Sequence, residues 1–125
     1  MYITISKTPA LNTIRFVPDQ QSRKGYTTVK VDVAKLDRAW RKDKDYYIGK
    51  GGVGGIRNRY QTFISFLDEG VPIEQSVIGI DVYNNDMPSF TNGRHRFAVL
   101  RDLGMKHIPI SVPNEEVTVM RELFT

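Results

Sequence analysis

The chain has 125 residues, no cysteine, and a formal net charge of +4 with a pI near 9.4. This length suits one domain, and a hydrophobic content of 40% can build a core without metals or disulfides. The lack of cysteine excludes disulfides, zinc knuckles and thiol catalysis, while the basic charge favours anionic partners. Since neither a signal peptide nor a membrane-spanning run is recognisable, we expect a cytoplasmic protein without membrane insertion.

The first part of the chain is predicted to form strands and then a helix. Residues 2–6 and 13–17 alternate and are candidate strands, although residues 1–26 could instead form an irregular extension. The polar residues 18–25 predict a loop, and period-two alternation predicts a strand over 27–33. A helix with Asp32 as its N-cap follows. Its apolar residues are Val33, Leu36 and Trp40.

The remainder is predicted to alternate between strands and helices. Residues 46–48 predict a short strand entering a glycine loop, and an apolar stripe predicts a helix from Ile56 to Leu67, ended by Gly70. Strands are expected at 76–83, 87–90 and 107–113, and helices at 93–104 and, capped by Asn114, at 114–124. The fold class is α+β (mixed α/β): one compact domain over 1–125 with a small mixed sheet and three to four helices.

The stretch Asn92-Gly93-Arg94-His95-Arg96 concentrates positive charge at the start of a predicted helix. Helix N-termini carry unsatisfied N–H groups and a positive dipole end, so Arg94 and Arg96 are unfavourable there without an anion. A phosphate would reverse these terms, and arginine forks match its geometry. The alternative is that Asn92 caps an ordinary surface helix and the arginines pair with acidic residues.

A second glycine-rich stretch, GKGGVGGIRNRY, runs from residue 49 to residue 60. It satisfies G-x-G-x-x-G literally, but the βαβ context of a dinucleotide fold is missing and no Walker A lysine follows the glycines. We expect Lys50, Gly51 and Gly52 to close over the same phosphate, with Arg59 behind them and the two loops meeting in space. A simple flexible turn is the alternative.

The titratable residues predict no metal site. Two histidines, His95 and His107, do not make one, and the acidic residues near loops lack the spacing of a Mg²⁺ or Ca²⁺ site. His95 is predicted to donate a hydrogen bond to phosphate or to act as an acid–base group, with Glu69 and Asp81 as weaker candidates for a general base. The basic residues between 35 and 44 are interpreted as a solvated helix face or a nucleic-acid surface.

The run FTNGRHRFAVLRDLGMKHIPISVP, residues 90–113, resembles the ParB/sulfiredoxin superfamily. Members of that superfamily carry a Gly-x-x-Arg turn at a helix start, an alanine-rich helix, a glycine and an Ile-Pro pair that opens a strand. The matching residues are Gly93, Arg96, Ala98, Gly104, Ile108 and Pro109.

A longer stretch, residues 40–113, is similar to one branch of the superfamily, the Osa-like plasmid fertility-inhibition proteins. In that branch a tryptophan, a glycine-rich loop and an Arg-Tyr pair precede NGRHR. The corresponding residues here are Trp40, Tyr47, Ile48, the glycine loop at 49–55, Arg59, Tyr60 and Phe63.

The resemblance implies a compact nucleotide-binding fold in which the Gly93 turn cradles phosphates, with ATP or CTP as the ligand and Mg²⁺ left open. Sulfiredoxins carry a cysteine where Arg94 stands, so sulfinic-acid repair is excluded. Partition proteins carry a metal-binding glutamate there, and its replacement by Arg94 argues against their Mg²⁺-dependent mechanism of triphosphate hydrolysis. A chromosome partition clamp is not expected either, because a helix-turn-helix domain is not recognisable.

Together these observations predict a protein that binds the phosphate of a nucleotide or of DNA. As an enzyme it would be an NTPase or a nuclease that inhibits plasmid conjugative transfer, with His95 and Arg96 catalytic. The alternative is a non-catalytic plasmid- or phage-encoded inhibitor that binds a conjugation-machinery or host protein, and a third possibility is a small non-specific DNA binder. The predicted phosphate-binding residues are Lys50, Gly51, Gly52, Arg59, Asn92, Gly93, Arg94, His95 and Arg96.

Overall fold

The computed structural model describes residues 10–19 and 24–125, and its centre is a four-stranded mixed sheet. The strands are β1 Phe16–Val17, β2 Tyr26–Asp32, β3 Ile73–Glu74, β4 Val77–Asp81, β5 Met87–Asn92 and β6 His107–Pro113. The strand order of the sheet is β2-β6-β4-β5, with β6 antiparallel to β2 and parallel to β4, and with β5 antiparallel to β4 at one edge. Strands β1 and β3 form a separate parallel pair.

The described residues also form four α-helices, which confirms the α+β class. The helices are α1 Val33–Trp40, α2 Arg59–Leu67, α3 Arg94–Asp102 and α4 Val117–Phe124. Helices α1 and α4 contact the sheet and each other, and α2 lies against α3. None of the helices in the described part of the chain is long and apolar enough to cross a membrane.

The core that supports α3 is built around Trp40, which is fully buried. Its ring packs against Phe90 of β5 at a centroid distance of 4.5 Å and against Phe97 of α3 at 5.9 Å. Burying such large rings stabilises the fold by roughly 2–3 kcal/mol each. These contacts join α1, the edge strand and α3, and so fix where the N-terminus of α3 lies.

Several predicted elements were correct and others need correction. Asp32 caps α1 by accepting a hydrogen bond from the Lys35 N–H. Residues 46–48 do not form a strand, because the Ile48 carbonyl accepts a hydrogen bond from Arg101 and the Tyr47 N–H donates to Asp43 within a turn.

Other helix and strand boundaries also differ from those predicted. Helix α2 begins at Arg59 rather than at residue 56, and the predicted strand at 13–17 is reduced to Phe16–Val17. Asn114 does not cap α4, because its side chain accepts from the Thr27 hydroxyl and a short 3-10 turn precedes the helix. The predicted strand at 2–6 lies outside the described residues.

Candidate functional site

Helix α3 begins at Arg94, one residue after the predicted start, with Gly93 as its N-cap residue, and the glycine is required there. Its φ of +82° lies in the left-handed region that L-residues rarely adopt. A Cβ at this position would come within 2.7 Å of the Ser76 Oγ, whose hydroxyl donates to the Gly93 carbonyl. No side chain in the described residues caps α3, so its first-turn N–H groups remain available for an anion.

A cleft of about 510 Å³, which we call the main cleft, lies at this helix start. Edge strand β5 forms one wall, and the turn around Tyr46 forms another. Arg59, Arg94 and His95 also line the cleft, so positive charge meets the positive end of the α3 dipole. This volume is within the range of small-ligand pockets.

Arg94 is held against the Tyr46 turn. Its Nη1 donates to the Tyr46 carbonyl at 2.9 Å, and the guanidinium carbon lies 5.7 Å from the centroid of the Tyr46 ring. Tyr46 is nevertheless 60% exposed. An oriented arginine therefore stands beside an accessible aromatic face.

His95 is buried, and it joins the two glycine-flanked segments. Its Nε2 accepts a hydrogen bond from the Ile56 N–H at 2.9 Å, which leaves the ring proton on Nδ1. Burial, with the nearby charges of Arg94 and Arg59, lowers the pKa of His95. The imidazole is therefore neutral at pH 7, and its Nε2 already has a partner within the protein.

The lowered pKa of His95 predicts a pH dependence of stability. A histidine held neutral in the folded state binds its proton more readily when unfolded, so its contribution is present above the unfolded pKa and is lost as the pH falls below it. We expect the free energy of unfolding to fall between about pH 7 and about pH 5, and His95→Gln to flatten this slope. Urea titrations across that range measure it. His107→Gln, at an exposed position, is the matched control; a slope unchanged in His95→Gln, or flattened equally in both variants, would contradict the assignment.

Arg96 points back into the protein. Its Nη1 donates to the carbonyls of Glu74 and Gln75, at 2.9 Å and 3.2 Å, and burial lowers its pKa. These bonds tie α3 to the segment that joins β3 and β4. One side of its guanidinium is therefore engaged by protein carbonyls, although Arg96 also lines a smaller neighbouring pocket.

Asn92 lines the main cleft, and its side chain is engaged by the N-terminal segment. Its Nδ2 donates to Asp19 Oδ2 at 2.9 Å, although the two residues are far apart in sequence. Asn92 therefore does not cap α3, which differs from the alternative reading of the sequence.

The glycine loop meets α3 but does not line this cleft with Lys50, Gly51 or Gly52. The Gly51 N–H donates to Asp102 Oδ2 at 3.0 Å, so a carboxylate of the protein itself occupies that donor. Gly52 lies against the Tyr60 ring, where a Cβ would come within 2.8 Å. Lys50 lines a different cleft with Asp102. The expected closure of both loops over one phosphate is not the arrangement found.

Sequence reasoning missed the network that holds the glycine loop. Arg101 donates to Asp37 and to Asp102, each at 2.9 Å, and also to the Ile48 carbonyl. Burial opposes ionisation of Asp102, but hydrogen bonds from Arg101, Tyr60 and Gly51 lower its pKa overall. Asp37 and Ile48 lie far from Arg101 in sequence, so their pairing leaves no periodic signal and only the fold reveals it.

Three acidic residues, Asp43, Asp45 and Asp81, also line the main cleft. Asp43 accepts from the N–H groups of Asp45 and Tyr46, and Asp81 accepts from the Tyr83 N–H and from Asn84. The Asp43 and Asp81 carboxylates are therefore engaged in turns. In the described residues no group of three or more His, Cys, Asp or Glu side chains could hold a metal ion.

Comparison with models of protein families, with curated proteins and with solved structures gives no match to this chain.

Proposed function

We propose that the chain binds the phosphate of a nucleotide or nucleic acid at the N-terminus of α3. The supporting observation is a helix start without a side-chain cap, preceded by left-handed Gly93, that lines a cleft together with Arg59 and Arg94. In this proposal the N–H groups after Gly93 hold phosphate oxygens, and the two arginines neutralise the charge. The resemblance of residues 90–113 to the ParB/sulfiredoxin superfamily supports the same ligand class.

Tyr46 supplies a reason to prefer a nucleotide or nucleic acid over a simple anion. Its ring is exposed beside Arg94 in the cleft that would hold the phosphate. Stacking of a base on an aromatic ring contributes roughly 1–3 kcal/mol. One nucleotide could then place its phosphate at the N-terminus of α3 and its base on the Tyr46 ring.

Binding is better supported than hydrolysis. A general base must reach the reacting group. However, His95 Nε2 already accepts a hydrogen bond from the Ile56 N–H, and the Asp43 and Asp81 carboxylates accept hydrogen bonds from backbone N–H groups in turns. NTPase or DNase activity, and inhibition of conjugative transfer, are proposed from the superfamily resemblance. Arg96 would then stabilise the position of α3 at the site through its hydrogen bonds to the Glu74 and Gln75 carbonyls, rather than contact the ligand as a catalytic residue.

Calorimetric titration with ATP, CTP, GTP and a short single-stranded oligonucleotide, with and without Mg²⁺, tests the proposal. We expect binding that weakens about tenfold or more when Arg59 and Arg94 are both changed to glutamine, because charge-assisted hydrogen bonds contribute about 1.5–3 kcal/mol each. The matched control changes Arg57 and Arg121 to glutamine; both are exposed and line neither large cleft.

The control distinguishes binding at a specific site from non-specific attraction by the net charge of the protein. Both double variants remove the same charge, so non-specific attraction would weaken binding equally in the two. Equal losses, or no binding of any nucleotide or oligonucleotide by the wild type, would contradict the proposal. Thermal unfolding of each variant verifies that the fold is kept.

A further inference from the structure

A second cleft, of about 660 Å³, lies at the other end of α3. The start of α1, the end of α3 and the start of β6 line it, together with Lys50 and Arg41. It shares no lining residue with the cleft at the α3 N-terminus. The proposed phosphate site therefore leaves this cleft unassigned.

The second cleft carries an excess of positive charge. Five lysines and arginines line it against three aspartates. Two of those aspartates, Asp37 and Asp102, are already paired with Arg101. Of the five cations that line the cleft, three form no salt bridge within the described part of the chain, and all three are exposed: Arg38, Lys50 and Lys106.

The inner wall of the cleft is partly apolar. Val33 is buried there, and Tyr47 and Met105 are half-buried. The N-terminus of α1 also faces this cleft, but the Asp32 carboxylate already caps it. A phosphate could not bind the N-terminus of α1, which is capped, or the Arg101 guanidinium, which is paired with aspartates. Apolar side chains could pack on Met105, because a methionine side chain adapts its shape to its neighbours.

We propose that this cleft is a docking site for an acidic segment of a partner protein in which carboxylates alternate with apolar side chains. The carboxylates would contact Arg38, Lys50 and Lys106, and the apolar side chains would cover Tyr47 and Met105. Charge complementarity favours an acidic partner, because five lysines and arginines line the cleft against three aspartates, and the half-buried Tyr47 and Met105 give apolar side chains a surface that a phosphate backbone would not use. The proposal does not depend on phosphate binding at the other end of α3.

Fluorescence anisotropy with a labelled peptide of alternating glutamate and leucine tests the proposal. Wild-type protein should bind it, and Arg38→Glu with Lys106→Glu should weaken binding about tenfold or more. Lys30→Glu with Arg121→Glu is the matched control, because it changes the same charges at exposed positions outside the cleft, and it should bind nearly as well as wild type. Circular dichroism verifies that both variants fold.

Three results would overturn the assignment. Equal weakening in both double variants would mean attraction by net charge alone. Equally tight binding of a peptide with lysine in place of glutamate would mean that charge does not select the ligand. Displacement of the peptide by an oligonucleotide, with Arg38→Glu and Lys106→Glu abolishing oligonucleotide binding, would assign the cleft to nucleic acid.

Discussion

Changing Gly93 to alanine is expected to destabilise the protein by at least about 3 kcal/mol. The left-handed backbone at this position costs an L-residue roughly 1–2 kcal/mol. The new Cβ would also meet the Ser76 Oγ and, at 2.9 Å, the Ser76 Cα. Ser76 is buried, so the backbone on which α3 rests must move. Urea unfolding of wild type and variant measures the loss.

Gly70→Ala is the matched control for this prediction. Gly70 has a similar φ of +69°, but no atom of the described residues lies within 4 Å of a Cβ built there. The Gly70→Ala variant should therefore lose only about 1 kcal/mol of unfolding free energy, which is the cost of the left-handed backbone conformation for alanine. If the two alanine variants lost equal stability, close packing of Gly93 on Ser76 would play no part.

The second large effect is expected for Arg101→Met, which should destabilise the protein by about 3–5 kcal/mol. The change leaves the buried Asp37 and the largely buried Asp102 without their shared partner, while methionine preserves much of the side-chain volume. Asp37 would keep only the exposed Arg41 as a charged partner, and poorly compensated charge in a poorly solvated site is costly. Chemical denaturation measures the loss.

Arg41→Met provides the comparison within the same network. Arg41 also pairs with Asp37, but its side chain is 66% exposed, so we expect a loss of only about 0–1 kcal/mol. A similar loss in the two methionine variants would show that burial of Arg101 does not determine its contribution.

The effect of Arg101→Met should also depend on pH. The pKa of Asp102 is lowered in the folded protein, so its stabilising contribution is present above its unfolded pKa and is lost as the pH falls through the folded value. The difference between wild type and Arg101→Met should therefore be largest near neutral pH and should shrink in acid. A difference that grew as the pH fell would contradict the network's charge assignment.

Local sequence signals predicted the elements that depend on neighbours in the chain. The Asp32 cap, the β2 alternation and the left-handed Gly93 follow from such signals, and the structure contains all three. The error at residues 46–48 has a physical origin. Ile48 is fully buried, as in a strand, but its carbonyl is satisfied by the distant Arg101 side chain rather than by a neighbouring strand.

The candidate site was only partly predictable for the same reason. The charge cluster at 94–96 is visible in the sequence, but the directions of its side chains depend on distant partners. Arg96 turns towards Glu74 and Gln75, and Asp102 takes the Gly51 donor that we expected to hold a phosphate. Tyr46 had no sequence signal beyond its aromatic character, and only the fold brings it beside Arg94.

The central claim is that an anion binds at the N-terminus of α3, and amide chemical shifts test it residue by residue. Titration of isotope-labelled protein with ATP should move the Arg94, His95 and Arg96 amide resonances most, together with the His95 ring signals. The pKa of His95 should rise towards its ordinary value as the phosphate charge arrives. Shifts confined to residues around Gly51 or Lys106, or no shifts at all, would contradict the claim.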